Sequence, residues 1–133
     1  MRNRLFVFAL VVLVGCNGKQ PEFPEVHPVK GVVKRDGQAV KGGAILFTPD
    51  PEKPNFLINS EVGDDGTFTL STVRTTDRRG ERKTGAPSGK YKVTYMPAGG
   101  DQTAKGETGP IELPTPVTVN AGENNIPINL PKK

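Results

Sequence analysis

The apolar and polar positions divide the chain into two unlike parts. Leu5 to Val14, LFVFALVVLV, is an unbroken apolar run of ten residues. From Val29 onward the apolar residues instead recur at every second position in short stretches, which is the period of a half-buried strand. Val29, Gly31 and Val33 share a face in VKGVVK; Ile45 and Phe47 share one in AILFT. Ile58, Ser60 and Val62 align in FLINSEV, and Phe68 and Leu70 align in TFTL. The clearest alternation is KYKVTY, with Tyr91, Val93 and Tyr95 on one face and Lys90, Lys92 and Thr94 on the other. Val117–Val119 and Asn125–Leu130 complete the set, the latter aligning Ile126, Ile128 and Leu130. Pro127 cannot donate to a ladder, so its strand is expected at an edge or with that position facing solvent.

Turn signals separate these stretches: Asp36-Gly37, Lys41-Gly42-Gly43, Gly63-Asp64-Asp65-Gly66, Pro87-Ser88-Gly89 and Ala121 to Asn125. Glycine takes the positive φ that tight hairpins demand, and proline fixes a bend. With 16 Gly and 13 Pro in 133 residues, many turns are expected and long helices are not. The length allows one small core. The pattern predicts an all-β domain over residues 29–133, a seven-stranded antiparallel β-sandwich, after an N-terminal signal segment and a linker.

The apolar run needs a different reading. Arg2 and Arg4 precede it. Ten helical residues span about 15 Å, roughly half of a bilayer's hydrocarbon core, so the run fits an export segment rather than a membrane span. It ends in Leu13-Val14-Gly15-Cys16, which resembles the bacterial lipobox. The resemblance implies a signal peptide over residues 1–15 and cleavage between Gly15 and Cys16. It also implies a diacylglycerol thioether on Cys16 Sγ, with a further acyl chain, such as palmitate, on the new amino group. Two or three chains anchor stably where one is marginal, because each buried CH₂ contributes about 0.8 kcal/mol. By resemblance to enterobacterial sorting signals, Asn17 in place of Asp leans towards the outer membrane over the inner. The expected location is the cell envelope, with the domain outside the cytoplasm.

Residues 16–28 then form a Pro-rich tether after the lipidated cysteine, with prolines at 21, 24 and 28. Twelve residues at about 3.1 Å each reach about 35 Å. Phe23 and Val26 read as isolated apolar residues packed on the domain's edge. His27 reads as solvated, since no Cys, His or paired carboxylate beside it completes a metal site.

Three segments in order resemble a carboxypeptidase regulatory-like domain, the prealbumin-like (transthyretin-like) sandwich of Greek-key type. VKGVVKRDGQAVKGGAILFTP resembles the family's opening strand, Asp-Gly turn and second strand ending in Phe. VGDDGTFTL resembles its Asp-rich turn and aromatic strand, and APSGKYKVTY its late Pro-x-Gly turn and Tyr strand. The family includes a hydrolase of a purine-pathway intermediate that relies on histidines, an arginine and a C-terminal Tyr-Arg-Gly-Ser. This chain ends Leu130-Pro131-Lys132-Lys133 and places its one histidine before the domain, so that pattern is absent.

Charge and candidate chemistry narrow the function. The formal charge is +4, and removal of Arg2 and Arg4 with the signal leaves +2, which gives no case for a nucleic-acid partner. One cysteine excludes an internal disulfide framework, and one histidine argues against a histidine-based zinc site. No Gly-x-Ser-x-Gly elbow occurs, and Asp64 and Asp65 lack the spaced ligands of a calcium loop. No catalytic set, metal or cofactor is expected. The stretch from Val73 to Pro87 carries Arg74, Arg78, Arg79, Arg82 and Lys83 against Asp77 and Glu81, a local excess of +3. It reads as a solvated loop, or as a contact for an anionic partner such as lipid headgroups, a wall polymer or an acidic protein. Ile111 and Leu113 are expected to pack back from a Gly/Pro-rich segment. The first functional reading is a non-catalytic structural or protein-interaction module anchored at the envelope. The alternative is a carbohydrate- or anionic-polymer-binding module, with only Tyr91 and Tyr95 to stack on sugars and no Trp. A transthyretin-like hydrolase comes last.

Overall fold

A computed structural model describes residues 22–76, 78–98 and 109–132. Among them the structure is all-β, in two sheets that share one core.

β1 (Val29–Arg35) is the spine of the smaller sheet. On one side it pairs antiparallel with β2 (Gln38–Ala39) and β5 (Thr67–Thr69). On the other it pairs parallel with β11 (Asn124–Asn125) and β12 (Ile128–Leu130). The larger sheet is built on β8 (Gly89–Met96) and β3 (Ala44–Asp50), paired antiparallel from Ala44↔Met96 to Asp50↔Lys90. Beyond β8 lie β9 (Ile111–Glu112) and β10 (Val117–Val119). Beyond β3 follow β4 (Phe56–Glu61), β6 (Ser71–Arg74) and β7 (Arg82–Thr84).

The alternation places the core as expected. Val29, Val33, Phe68, Ile128 and Leu130 from the smaller sheet meet Ile45, Phe47, Ile58, Tyr91, Val93, Tyr95 and Val119 from the larger one. The Phe47 ring bridges the layers, 6.2 Å from Phe68 and 5.7 Å from Tyr91 between centroids. Each such side chain contributes about 1.5–3 kcal/mol by leaving water, so this set supplies the main drive to fold. Ile111 and Leu113 pack against it, as expected.

Gly31 lies in the closest approach of the smaller sheet. A Cβ there would sit 2.0 Å from the carbonyl oxygen of Ile126 and 2.8 Å from Phe68 Cζ. The backbone between β11 and β12 therefore passes over the spine where no side chain stands. Leu70 makes the joint between the sheets. Its N–H donates to Val29 O at 2.9 Å, and its carbonyl accepts from Gly85 N at 2.7 Å. One continuous run, Thr67 to Arg74, thus leaves the smaller sheet and enters the larger at one fully buried residue.

Three details depart from the sequence-based expectation. The last strands run parallel to β1, not antiparallel. Side-chain alternation is the same for either direction, so it carries no information on strand polarity. The stretch from Val73 to Pro87 is not a simple loop, because β6 and β7 pair through Ser71↔Thr84, Thr72↔Lys83 and Val73↔Arg82. The segment before β1 is not solvated throughout: His27 forms a bridge with Ala86, donating its N–H to Ala86 O and accepting from Ala86 N.

Candidate functional site

The larger sheet is wider than the smaller, so its inner face on the β4–β6–β7 side extends past the cover that the smaller sheet provides. The register places Phe56, Arg74, Thr72 and Lys83 on that inner face, since cross-strand partners share a side and Ile58 beside them is in the core. Phe23 covers the overhang. Its ring meets Phe56 edge-on, 5.4 Å between centroids and 71° between planes. Arg74 Cζ lies 5.8 Å and Lys83 Nζ 4.8 Å from the Phe23 centroid. Arg74 also forms an ion pair with Glu81, which stands across the hairpin. Cations over a ring face contribute about 0.5–1 kcal/mol each at exposed positions, and an edge-on aromatic pair a similar amount. This aromatic clasp fastens the tether to the hairpin.

Further along, His27 Nδ1 accepts from Gly122 N at 3.3 Å. Asn124 holds the adjoining turn. Its Oδ1 accepts from Asn120 N at 2.9 Å, and its Nδ2 donates to Asn120 O, Gly122 O and Pro28 O at 2.8, 3.0 and 3.3 Å. The chain from Phe23 to Pro28 is thus fastened at the clasp, at Ala86 and at this turn.

The five basic residues singled out from the sequence do not act as one group. Arg74 and Lys83 flank Phe23. Arg82 lies on the opposite face of β7 and helps line a polar hollow with Asn59, Ser60, Glu61, Thr69 and Ser71. Arg78 and Arg79 are exposed in the connection between β6 and β7. Cys16 and Gly15, the expected lipidation and cleavage residues, lie outside the described residues.

The tyrosines are core residues rather than a sugar platform, with Tyr91 2% and Tyr95 4% exposed. Tyr91 donates to Pro87 O and Tyr95 to Gly42 O. Burial pushes the Tyr91 phenol up to about 12 and also raises Tyr95, the latter opposed by the nearby charge of Arg35. In the Asp-rich turn, hydrogen bonds from the Thr67 hydroxyl and N–H hold the exposed Asp65 carboxyl below its usual range. Asp65 therefore shapes a turn.

No group of three or more metal-ligating side chains occurs among the described residues, and no helix among them is long and apolar enough to cross a membrane. A groove of about 180 Å³ lies beside the clasp, between Pro24, Pro49, Pro51, Pro87 and Tyr91. That is below the roughly 300 Å³ at which small-molecule pockets begin, whereas the open hollow beside Arg82, about 480 Å³, and another beside Arg35 and Lys132, about 790 Å³, are larger.

No protein-family model, curated protein or solved structure matches this chain.

Sequence reasoning missed Phe56 and the clasp as a unit. One signal for it was present: Phe23 is the only Phe of the tether, between Pro21 and Pro24 in a largely polar stretch. The partner positions needed the register of β4, β6 and β7, which no local pattern supplies.

Proposed function

We propose that this chain is a lipid-anchored, non-catalytic β-sandwich of the cell envelope that presents a protein-interaction surface. In this reading residues 1–15 are a signal peptide, and Cys16 carries the diacylglycerol and acyl chains. Residues 29–133 are a carboxypeptidase regulatory-like domain of prealbumin-like, Greek-key type. The outer membrane is favoured over the inner.

One observation carries the proposal. Phe23, seven residues after Cys16, is already packed on the sandwich, so the folded body begins a short leash away from the lipobox cysteine. A short leash of this kind is consistent with anchoring through Cys16. The polar groups best suited to chemistry also have structural partners: the Tyr91 and Tyr95 hydroxyls, His27 Nδ1 and the Asn124 amide. Leu57 and Met96, large apolar side chains 39% and 41% exposed, sit on the outer face of the larger sheet, where a protein partner would find them. The carbohydrate-binding alternative is disfavoured by the burial of both tyrosines and by the lack of an aromatic residue around the Arg82 hollow.

Two measurements test the proposal. Metabolic labelling with a fatty-acid analogue should mark the wild-type chain, and Cys16→Ala should abolish both the label and membrane fractionation. An unlabelled wild-type chain, or a Cys16→Ala chain that still fractionates normally, overturns the anchor. Crosslinking in intact cells should capture a discrete protein partner, and its capture should weaken in Leu57→Lys. Turnover of a small molecule by the pure protein would overturn the non-catalytic reading.

A further inference from the structure

The clasp has a consequence for what the basic hairpin meets. A free tether would let the sandwich stand about 35 Å from the lipid in any orientation. With Phe23 fastened, only seven residue steps separate Cys16 from the β6–β7 hairpin, at most about 22 Å at 3.1 Å per residue. The leash also leaves the body at one defined corner, against Arg74 and Lys83. Arg78, Arg79 and Arg82 are exposed on the same hairpin. The anchoring lipid and the hairpin's cations are therefore held together by covalent geometry and packing.

We infer that the turn end of this hairpin, with the exposed Arg78 and Arg79, is a membrane-facing surface that rests on anionic lipid headgroups. The inference rests on the proposed anchoring of Cys16 for its setting in the cell. Along the sequence, residues 75–84 carry Arg78, Arg79, Arg82 and Lys83 against Asp77 and Glu81, a net of +2. A basic residue near an anionic surface is worth about fivefold in equilibrium constant, so the facing-down orientation is favoured by roughly 25-fold. That is too weak to recruit a free protein and sufficient to orient one that is already tethered. The short leash selects a bilayer over a distant polymer or protein as the occupant.

The single cysteine allows a test that does not depend on cellular lipidation. A chain beginning at Cys16 keeps every strand and every core residue of the sandwich. It is coupled through Cys16 to a maleimide lipid in vesicles of phosphatidylcholine, with or without phosphatidylglycerol. Backbone hydrogen exchange is then followed over residues 78–84. Exchange should slow several-fold on the anionic vesicles, and the slowing should vanish in high salt. It should also vanish in Arg78→Glu/Arg79→Glu, whose melting temperature should match wild type. Equal exchange on both vesicle types overturns the inference, as does equal protection on neutral vesicles by a soluble polyanion. The mass of the chain isolated from its native membrane reports separately on acylation. An acylated chain without hairpin protection refutes this surface alone; a protected but unacylated one refutes the anchor alone.

Discussion

Gly31→Ala is the sharpest test of the packing. The added Cβ would lie 2.0 Å from Ile126 O, whereas a relaxed carbon–oxygen contact needs about 3.3 Å or more. The neighbour is backbone and cannot rotate away. The spine and the β11–β12 segment must separate by more than 1 Å, which stretches Ile126 N→Lys30 O from 2.9 Å and disturbs the pairing on either side. Overpacking alone costs about 1–3 kcal/mol, and each lost ladder bond adds about 1 kcal/mol. The expected total is about 3–5 kcal/mol, against a typical domain stability of about 5–15 kcal/mol. Urea unfolding followed by circular dichroism, on chains beginning at Cys16, measures it as a fall in midpoint. Gly109→Ala is the internal control, because its Cβ meets nothing within 4 Å. Its effect should lie within about 0.5 kcal/mol of zero. A Gly31→Ala midpoint as close to wild type as the control's would refute the close approach of the last strand to the spine.

Three further outcomes follow from the same contacts. Phe23→Ala should expose residues 22–28 to proteolysis, and a Phe23/Lys83 double-mutant cycle should return a coupling of about 0.5–1 kcal/mol, with zero coupling counting against the clasp. Stability should decline between pH 10 and 12: the unfolded Tyr91 phenol ionises near 10 and the folded one near 12, so up to about 2–3 kcal/mol present below pH 10 is lost over that window. Tyr91→Phe should flatten that slope, and an unchanged alkaline titration would assign the decline elsewhere. Asn124→Ala should cost about 1–3 kcal/mol, read as a lower thermal midpoint, because the carbonyls of Asn120 and Gly122 and the N–H of Asn120 lose their side-chain partner together.

Most of the core was legible in the sequence because burial in a strand is written in a period of two. Tyr91, Val93 and Tyr95 were placed on one face by alternation alone, and all three are buried. What alternation omits is everything set by which strand lies beside which. The polarity of β11 and β12 against β1 leaves no mark on the order of apolar residues. The hairpin of β6 and β7 was hidden because Arg82, Lys83 and Thr84 are all exposed, so neither face of that short edge strand carries an apolar signal. The clasp was hidden for a third reason: its four members come from four separate segments and meet only after the sheet has formed. The basic residues were visible as a cluster, yet their division between a ring, a hollow and a turn is a matter of register.

Leu70 bears on how the molecule comes apart. Its peptide group is a hydrogen-bonding partner to both layers, its N–H to Val29 and its carbonyl to Gly85. Neither sheet can detach while the other stays intact without orphaning half of a fully buried residue's backbone. The two layers are therefore one cooperative unit. The amides of Leu70 and Gly85 should exchange with solvent only when the whole domain opens, and no long-lived state should hold one sheet alone.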